Sequence, residues 1–228
     1  YEKAGMEGQL VTSLKRYVGT FPTPMEQATE ARQKLADIYL NKGAISDRHY
    51  WLGEIMRRDK SNKSESTPRT HFLAAKAAFE LAKPTLDSFQ SVKLVKPLKV
   101  NLKRKKNKMK AAVDAYTVAA DYGIAEITTA SVYWLAEIYN EFGRELMESE
   151  RPAGLSGDEL EQYDILLEEQ AYPFEEKSIN IHETNVGRIS DGIYDEWIKK
   201  SLAKLKRLSP VRYSKEEKSV SVARFIYY

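Results

Sequence analysis

Nine lysines and arginines fall between residues 93 and 110 (Lys93, Lys96, Lys99, Lys103, Arg104, Lys105, Lys106, Lys108 and Lys110), with no acid among them. Cationic clusters of this density neutralise phosphates. Lys99, Lys103, Arg104, Lys105, Lys106, Lys108 and Lys110 are therefore candidate contacts for an anionic partner. The chain also carries the opposite block: residues 137–176 hold thirteen Asp or Glu against two Arg. Three fates are open to the cations. They pair with the acidic block, in the same chain or in a neighbouring copy; they are solvated; or they hold nucleic acid or an anionic surface. Complementarity ranks first, because there is no second basic segment and no nucleic-acid motif.

Other constellations are weaker. Ile181-His182-Glu183-Thr184-Asn185 resembles the start of a zinc-protease helix, but position 186 is Val and the second His of that motif is missing. His49 and His71 fall in other segments, and His182 is expected at the surface. Glu168, Glu169, Glu175 and Glu176 flank Tyr172-Pro173-Phe174. Paired acids serve acid-base or cation chemistry only when they converge, and adjacent residues on a helix point about 100° apart. There is no Cys, and the eleven Gly are dispersed, with no phosphate loop and no G-x-S-x-G elbow. The expectation is no catalytic residue, no metal and no cofactor.

The bulk composition fits a folded chain with a real core: 228 residues, 42% hydrophobic, 30% charged, net charge +3. No apolar run approaches the roughly 20 residues needed to span a bilayer. The start at Tyr1 without Met reads as a piece of a longer protein.

The elements that must position these residues are helical. Thr23, Pro24 and Glu26 read as a capping box with a proline start. The helix they open carries Ala31, Leu35, Ile38 and Tyr39 on one face and ends at Gly43. A second spans about 47–58, and 59–69 reads as an insertion loop. Thr67-Pro68 opens a long helix with Phe72, Ala75, Phe79, Ala82, Leu86 and Phe89 at alternating spacings of three and four. Pro84 should kink it. Pro97 opens a helix reaching about Tyr122 and closed by Gly123. Thr128 or Thr129 is expected to cap the next. Residues 150–157 form a second insertion loop, with Ser156 and Glu159 as another capping box, and further helices span about 158–186 and 190–208. Residues 1–22 form an N-terminal segment, 23–208 the helical array and 209–228 a tail, of which 219–228 alternates like a strand. The class is all-α, with about seven helices and no strand pair.

One phrase nearly recurs. Tyr50-Trp51-Leu52-Gly53-Glu54-Ile55 returns as Tyr133-Trp134-Leu135-Ala136-Glu137-Ile138. Its kernel is Leu, then a small residue, then a large one at i+4, seen in Leu35-Ala36-Tyr39, Leu52-Gly53-Met56 and Leu135-Ala136-Tyr139. The small residue admits a neighbouring helix and the large ones fill the space beside it. A second phrase places Ala, an aromatic at +4 and Ala at +7: Ala75-Phe79-Ala82 and Ala112-Tyr116-Ala119. The repetition reads as a packing device. Most of the fourteen Tyr lie on these stripes, so core packing is their first role.

These two phrases resemble the halves of the tetratricopeptide repeat, a helix-turn-helix unit of 34 residues. The likeness covers about residues 24–150 and extends loosely to 208. The closing proline is missing, with Ile124 in its place, and the two Tyr-Trp-Leu phrases are 83 residues apart, which is not a multiple of 34. The array as a whole is similar to divergent repeats of bacterial cell-envelope proteins. The resemblance implies antiparallel hairpins stacked as an α-solenoid, a periplasmic or cell-envelope setting in preference to the cytoplasm, and function by surface. On that basis the chain is expected to be a non-catalytic scaffold for a protein or peptide partner, with self-association possible. The alternative is nucleic-acid or anionic-surface binding through residues 93–110.

Overall fold

The structure is a computed structural model that describes residues 6–214, so the tail 219–228 lies outside it. About 82% of the described residues are helical, and no strand occurs among them. Eight helices carry the fold: α1 (Glu7–Thr20), α2 (Met25–Asn41), α3 (Ile45–Ser61), α4 (Pro68–Gln90), α5 (Leu98–Ala120), α6 (Ala125–Met147), α7 (Asp158–Gly187) and α8 (Glu196–Leu208). A four-residue α9 (Pro210–Tyr213) follows. Each long helix packs on its successor, and α2–α4, α4–α6 and α6–α8 also touch. The result is a stack in which the even-numbered helices form a continuous row.

The stripes do the packing expected of them. Ala75, Phe79, Ala82, Ala112, Tyr116 and Ala119 all fall in one buried cluster. Phe79 meets Tyr116 edge-on, with ring centroids 5.7 Å apart. The two Ala-aromatic-Ala phrases therefore face each other across α4 and α5. Likewise Leu35, Ala36, Leu52 and Ile55 share a second cluster between α2 and α3. In these two pairs of helices like phrase packs on like. The Ala-rich run of α4 serves both clusters: Leu73, Ala74 and Ala77 face one while Ala75, Ala78 and Ala82 face the other. Small residues on two sides let one helix be sandwiched by its neighbours.

The repeated phrase is not environment-equivalent. Tyr50 is 60% exposed and Tyr133 is 9% exposed, because α8 covers α6 and Trp197 stacks on Tyr133 at 5.4 Å. Burial pushes the Tyr133 phenol up to about 12. Nor does Gly53 admit a close neighbour, since a Cβ there would meet nothing within 4 Å. Gly143 does, on the face of α6 toward α7: a Cβ would lie 3.3 Å from the Ala171 carbonyl oxygen and from Phe174 Cβ.

Several helix starts differ from expectation. Pro24 itself is the extended N-cap of α2, without a side-chain bond, and Glu26 is recruited across the stack by Thr67 Oγ1 at 2.6 Å. Thr67 caps α4 as expected, with Thr70 completing the box. Helix α6 starts at Ala125, so Thr128 and Thr129 lie inside it and bond back to Ala120 O (3.0 Å) and Ala125 O (3.0 Å). Gly157 caps α7 without a side-chain bond from Ser156. Helix α4 continues through Pro84 to Gln90. The expected loop 59–69 is mostly ordered, with α3 running to Ser61, a 3-10 turn over Lys63–Glu65 and Ser66 donating to the buried Asp59 at 2.9 Å. Gly43 and Gly123 close α2 and α5 with φ of 68° and 71°, the left-handed region that glycine enters without penalty.

Candidate functional site

The basic segment divides in two. Lys93 and Lys105 both reach Glu145 of α6, at 3.6 and 2.8 Å, and Lys96 reaches Glu150 at 2.9 Å. The Lys96 side chain and backbone N–H hold the Glu150 carboxyl below its usual range. This is the acid-base complementarity expected from composition, realised within the chain. Lys105 corrects the candidate list. Its side chain is 0% exposed and lies over the Phe89 ring at 4.1 Å, so it is closed to any surface partner. Lys110 pairs with Asp114 on its own helix at 2.8 Å.

Lys99, Lys103, Arg104, Lys106 and Lys108 are exposed and have no carboxylate partner among the described residues. Lys103 belongs to, and the other four flank, an outward row at helical spacing: Val100, Lys103, Asn107, Lys110, Asp114 and Val118, all exposed. Val100 is 63% exposed.

Helix α7 presents the opposite character. Its inner row, Leu167, Ala171, Phe174, Ser178, His182 and Asn185, packs on the stack. Its outer row is Gln162, Ile165, Glu169, Tyr172 and Glu176, spaced three and four apart and wholly exposed. Ile165 and Tyr172 are 51% and 62% exposed, and Ile165, Glu168, Glu169 and Tyr172 border a shallow depression of about 350 Å³. These carboxylates fan out along a helix and do not converge.

The titratable groups that do converge lie between α6, α7 and α8. His182, expected at the surface, is 0% exposed. Its Nδ1 is 3.2 Å from Ser201 Oγ and its Nε2 is 3.3 Å from Glu137 Oε1. Asn185 Nδ2 donates to Ser201 Oγ and to Thr129 O, both at 3.0 Å. One proton arrangement connects the row: Asn185 donates to Ser201, Ser201 to Nδ1, and Nε2–H to Glu137, with Asn185 Oδ1 buried and unpartnered among the described residues. Lys204 donates to the other Glu137 oxygen. Burial works to raise the Glu137 carboxyl, but the bonds from His182 and Lys204 outweigh it and hold the group below its ordinary value.

The Ser-His-Glu connectivity is that of a nucleophilic triad. Its Ser201 and His182 are both fully buried, so a substrate carbonyl has no approach to Oγ. The row locks three helices together. Lys204 links it to a cleft of about 350 Å³ that it lines with Arg144, Arg207, Glu148 and Glu175.

No group of three or more metal-ligating side chains converges among the described residues, and no described helix is long and apolar enough to cross a membrane. The chain matches no protein-family model, no characterised protein and no solved structure.

Proposed function

We propose that the chain is a non-catalytic interaction scaffold, a tetratricopeptide-like helical stack of the kind found in bacterial cell-envelope proteins, that takes a protein or peptide partner as part of a larger assembly. The observation that carries the reading is the outer row of α7. Two large apolar side chains, Ile165 and Tyr172, stand in water alternating with Glu169 and Glu176, at the spacing by which one helix reads another. Aromatic and aliphatic anchors set among charges are the composition of a recognition surface. The carboxylates ask for a cationic, amphipathic partner.

The test is to pan randomised helical peptides against the immobilised chain and titrate the selected sequences calorimetrically. Selected peptides should be basic and amphipathic. Ile165→Glu or Tyr172→Ala should weaken them by about tenfold or more, the effect of losing a central anchor. Peptides indifferent to both substitutions would remove α7 as the docking face.

A second reading rests on five exposed cations, Lys99, Lys103, Arg104, Lys106 and Lys108, that have no carboxylate partner among the described residues and suit a polyanion. It requires affinity for nucleic acid or anionic vesicles that falls steeply with salt. Binding that varies little with ionic strength would end it.

A further inference from the structure

We infer that the partner of the α7 face is a second copy of this chain, docking through α5; this rests on the scaffold reading and gives it an occupant. The two rows are similar in length and opposite in charge. Within the outward rows, four consecutive positions on α5 are Val100, Lys103, Asn107 and Lys110, and four on α7 are Ile165, Glu169, Tyr172 and Glu176. Each places an apolar residue first and charged residues second and fourth. At 1.5 Å per residue the rows run about 15 and about 16 Å along their axes. Laid side by side in parallel, Val100 meets Ile165, Lys103 meets Glu169, Asn107 meets Tyr172 and Lys110 meets Glu176.

The flanks agree. Lys99, Arg104 and Lys106 border the α5 row, and Glu161, Glu168 and Glu175 border the α7 row, all exposed. Intramolecular pairing mostly uses other residues: the α5 segment satisfies α6 through Lys93, Lys96 and Lys105, and within the row only Lys110 has a partner, the exposed Asp114 one turn on. The outward cations of α5 and the outward acids of α7 are what remain. Each face would repel its own kind, so copies join α5 to α7, a head-to-tail contact between different patches. Such a contact repeats along a row of copies or closes into a ring. Charge steers the encounter and the Val100–Ile165 and Tyr172 contacts exclude water at its centre.

The experiment is sedimentation of the whole chain over a concentration series at low and high ionic strength, with two charge-reversed forms. One carries Lys103→Glu and Arg104→Glu, the other Glu169→Lys and Glu176→Lys. All four positions are exposed, and thermal melts confirm that both forms fold. The parent should associate at low salt and dissociate at high salt. Each reversed form alone should associate at least about tenfold more weakly, since like charges then face each other. An equimolar mixture should associate again, because the reversed α5 of one copy meets the reversed α7 of the other.

A parent that stays monomeric at low salt overturns the proposal, as does a mixture no stronger than its components. The outcomes separate from those of the scaffold reading. A monomeric parent whose α7 still binds selected basic peptides loses the second copy and keeps the face. A monomeric parent whose Lys103→Glu/Arg104→Glu form loses binding to nucleic acid assigns α5 to a polyanion instead.

Discussion

Lys105 Nζ lies 2.8 Å from Glu145 Oε2 with the lysine side chain wholly enclosed. The contact is a close ion pair and not an aligned hydrogen bond, since neither atom has a partner at hydrogen-bonding angle. The ring of Phe89, 4.1 Å from Nζ, supplies the remaining favourable field. Removing Glu145 leaves Lys105 charged in a place water does not reach, and removing Lys105 leaves a carboxylate whose side chain is only 10% exposed. Lys105→Met should therefore destabilise by about 3–5 kcal/mol, because Lys93 approaches Glu145 only from the water side at 3.6 Å. Lys105→Met with Glu145→Leu should recover most of that loss. Urea unfolding of the two single variants and the pair measures the coupling; a double-variant loss equal to the sum of the two single losses would show that the pair adds nothing.

The two glycines of α3 and α6 should respond in opposite ways. Gly53 has open space where a Cβ would stand. Gly53→Ala should stabilise by about 0.5–1 kcal/mol by reducing the freedom of the unfolded chain and improving helix propensity. Gly143 holds α7 close, with Ala171 O and Phe174 Cβ at 3.3 Å from the built Cβ. Gly143→Leu should cost about 1–3 kcal/mol through overpacking. Thermal melts decide both, and a stabilising Gly143→Leu would contradict the close approach.

The pH dependence of stability follows from Glu137. Its carboxyl lies below its ordinary value in the folded chain, whereas an unfolded Glu titrates near about 4.3. The unfolded chain then takes up the proton first on acidification. Stability from Glu137 is fully present above about pH 5 and drains as pH falls through the unfolded value toward the depressed folded one. Glu137→Gln should lower stability at neutral pH by about 1–3 kcal/mol, the cost of an imperfectly satisfied buried partner, and should flatten the acid limb. Unfolding curves from pH 3 to 7 test it. An unchanged acid limb in the Gln variant would assign the loss to other carboxylates.

The stripes were legible because apolar residues recur at three and four, and a helix has one way to bury that pattern. The same rule holds information a polarity-based reading passes over. Leu102, Lys105, Met109, Ala112, Tyr116 and Ala119 keep the three-four spacing unbroken, so Lys105 stands on the core face of α5 by position alone. Ser178, His182 and Asn185 continue the row of Leu167, Ala171 and Phe174 in the same way. Their burial was visible in register; their partners on α6 and α8 were not. Caps were the least legible. Glu26 and Thr129 are the right chemistry for a helix start but are recruited by Thr67 and Asp195 from distant elements. A local signal cannot anticipate a competitor that arrives through tertiary packing.

Asp195 shows what such recruitment achieves. Its Oδ1 accepts from the backbone N–H groups of Trp197 and Ile198 at 3.0 and 2.9 Å, capping α8. Its Oδ2 accepts from Thr129 Oγ1 at 2.5 Å, tying that cap to α6. One carboxylate thus starts the helix and docks it, with Trp197 laid against Tyr133 and Trp134 at centroid distances of 5.4 and 6.3 Å. Asp195→Ala removes both functions and should cost at least the 1–2 kcal/mol or so of a lost cap. The loss should be local. Amide exchange in Glu196–Leu208 should quicken well before that of α4 and α5, because among the described long helices α8 packs chiefly on α6 and α7, at the end of the stack. Asp195→Asn keeps an oxygen for the cap and an amide to donate to Thr129, so it should hold α8 near its parent protection. Exchange that quickens equally throughout the chain in the Ala variant would mean that α8 is no separable unit, and that the carboxylate stabilises the stack as a whole.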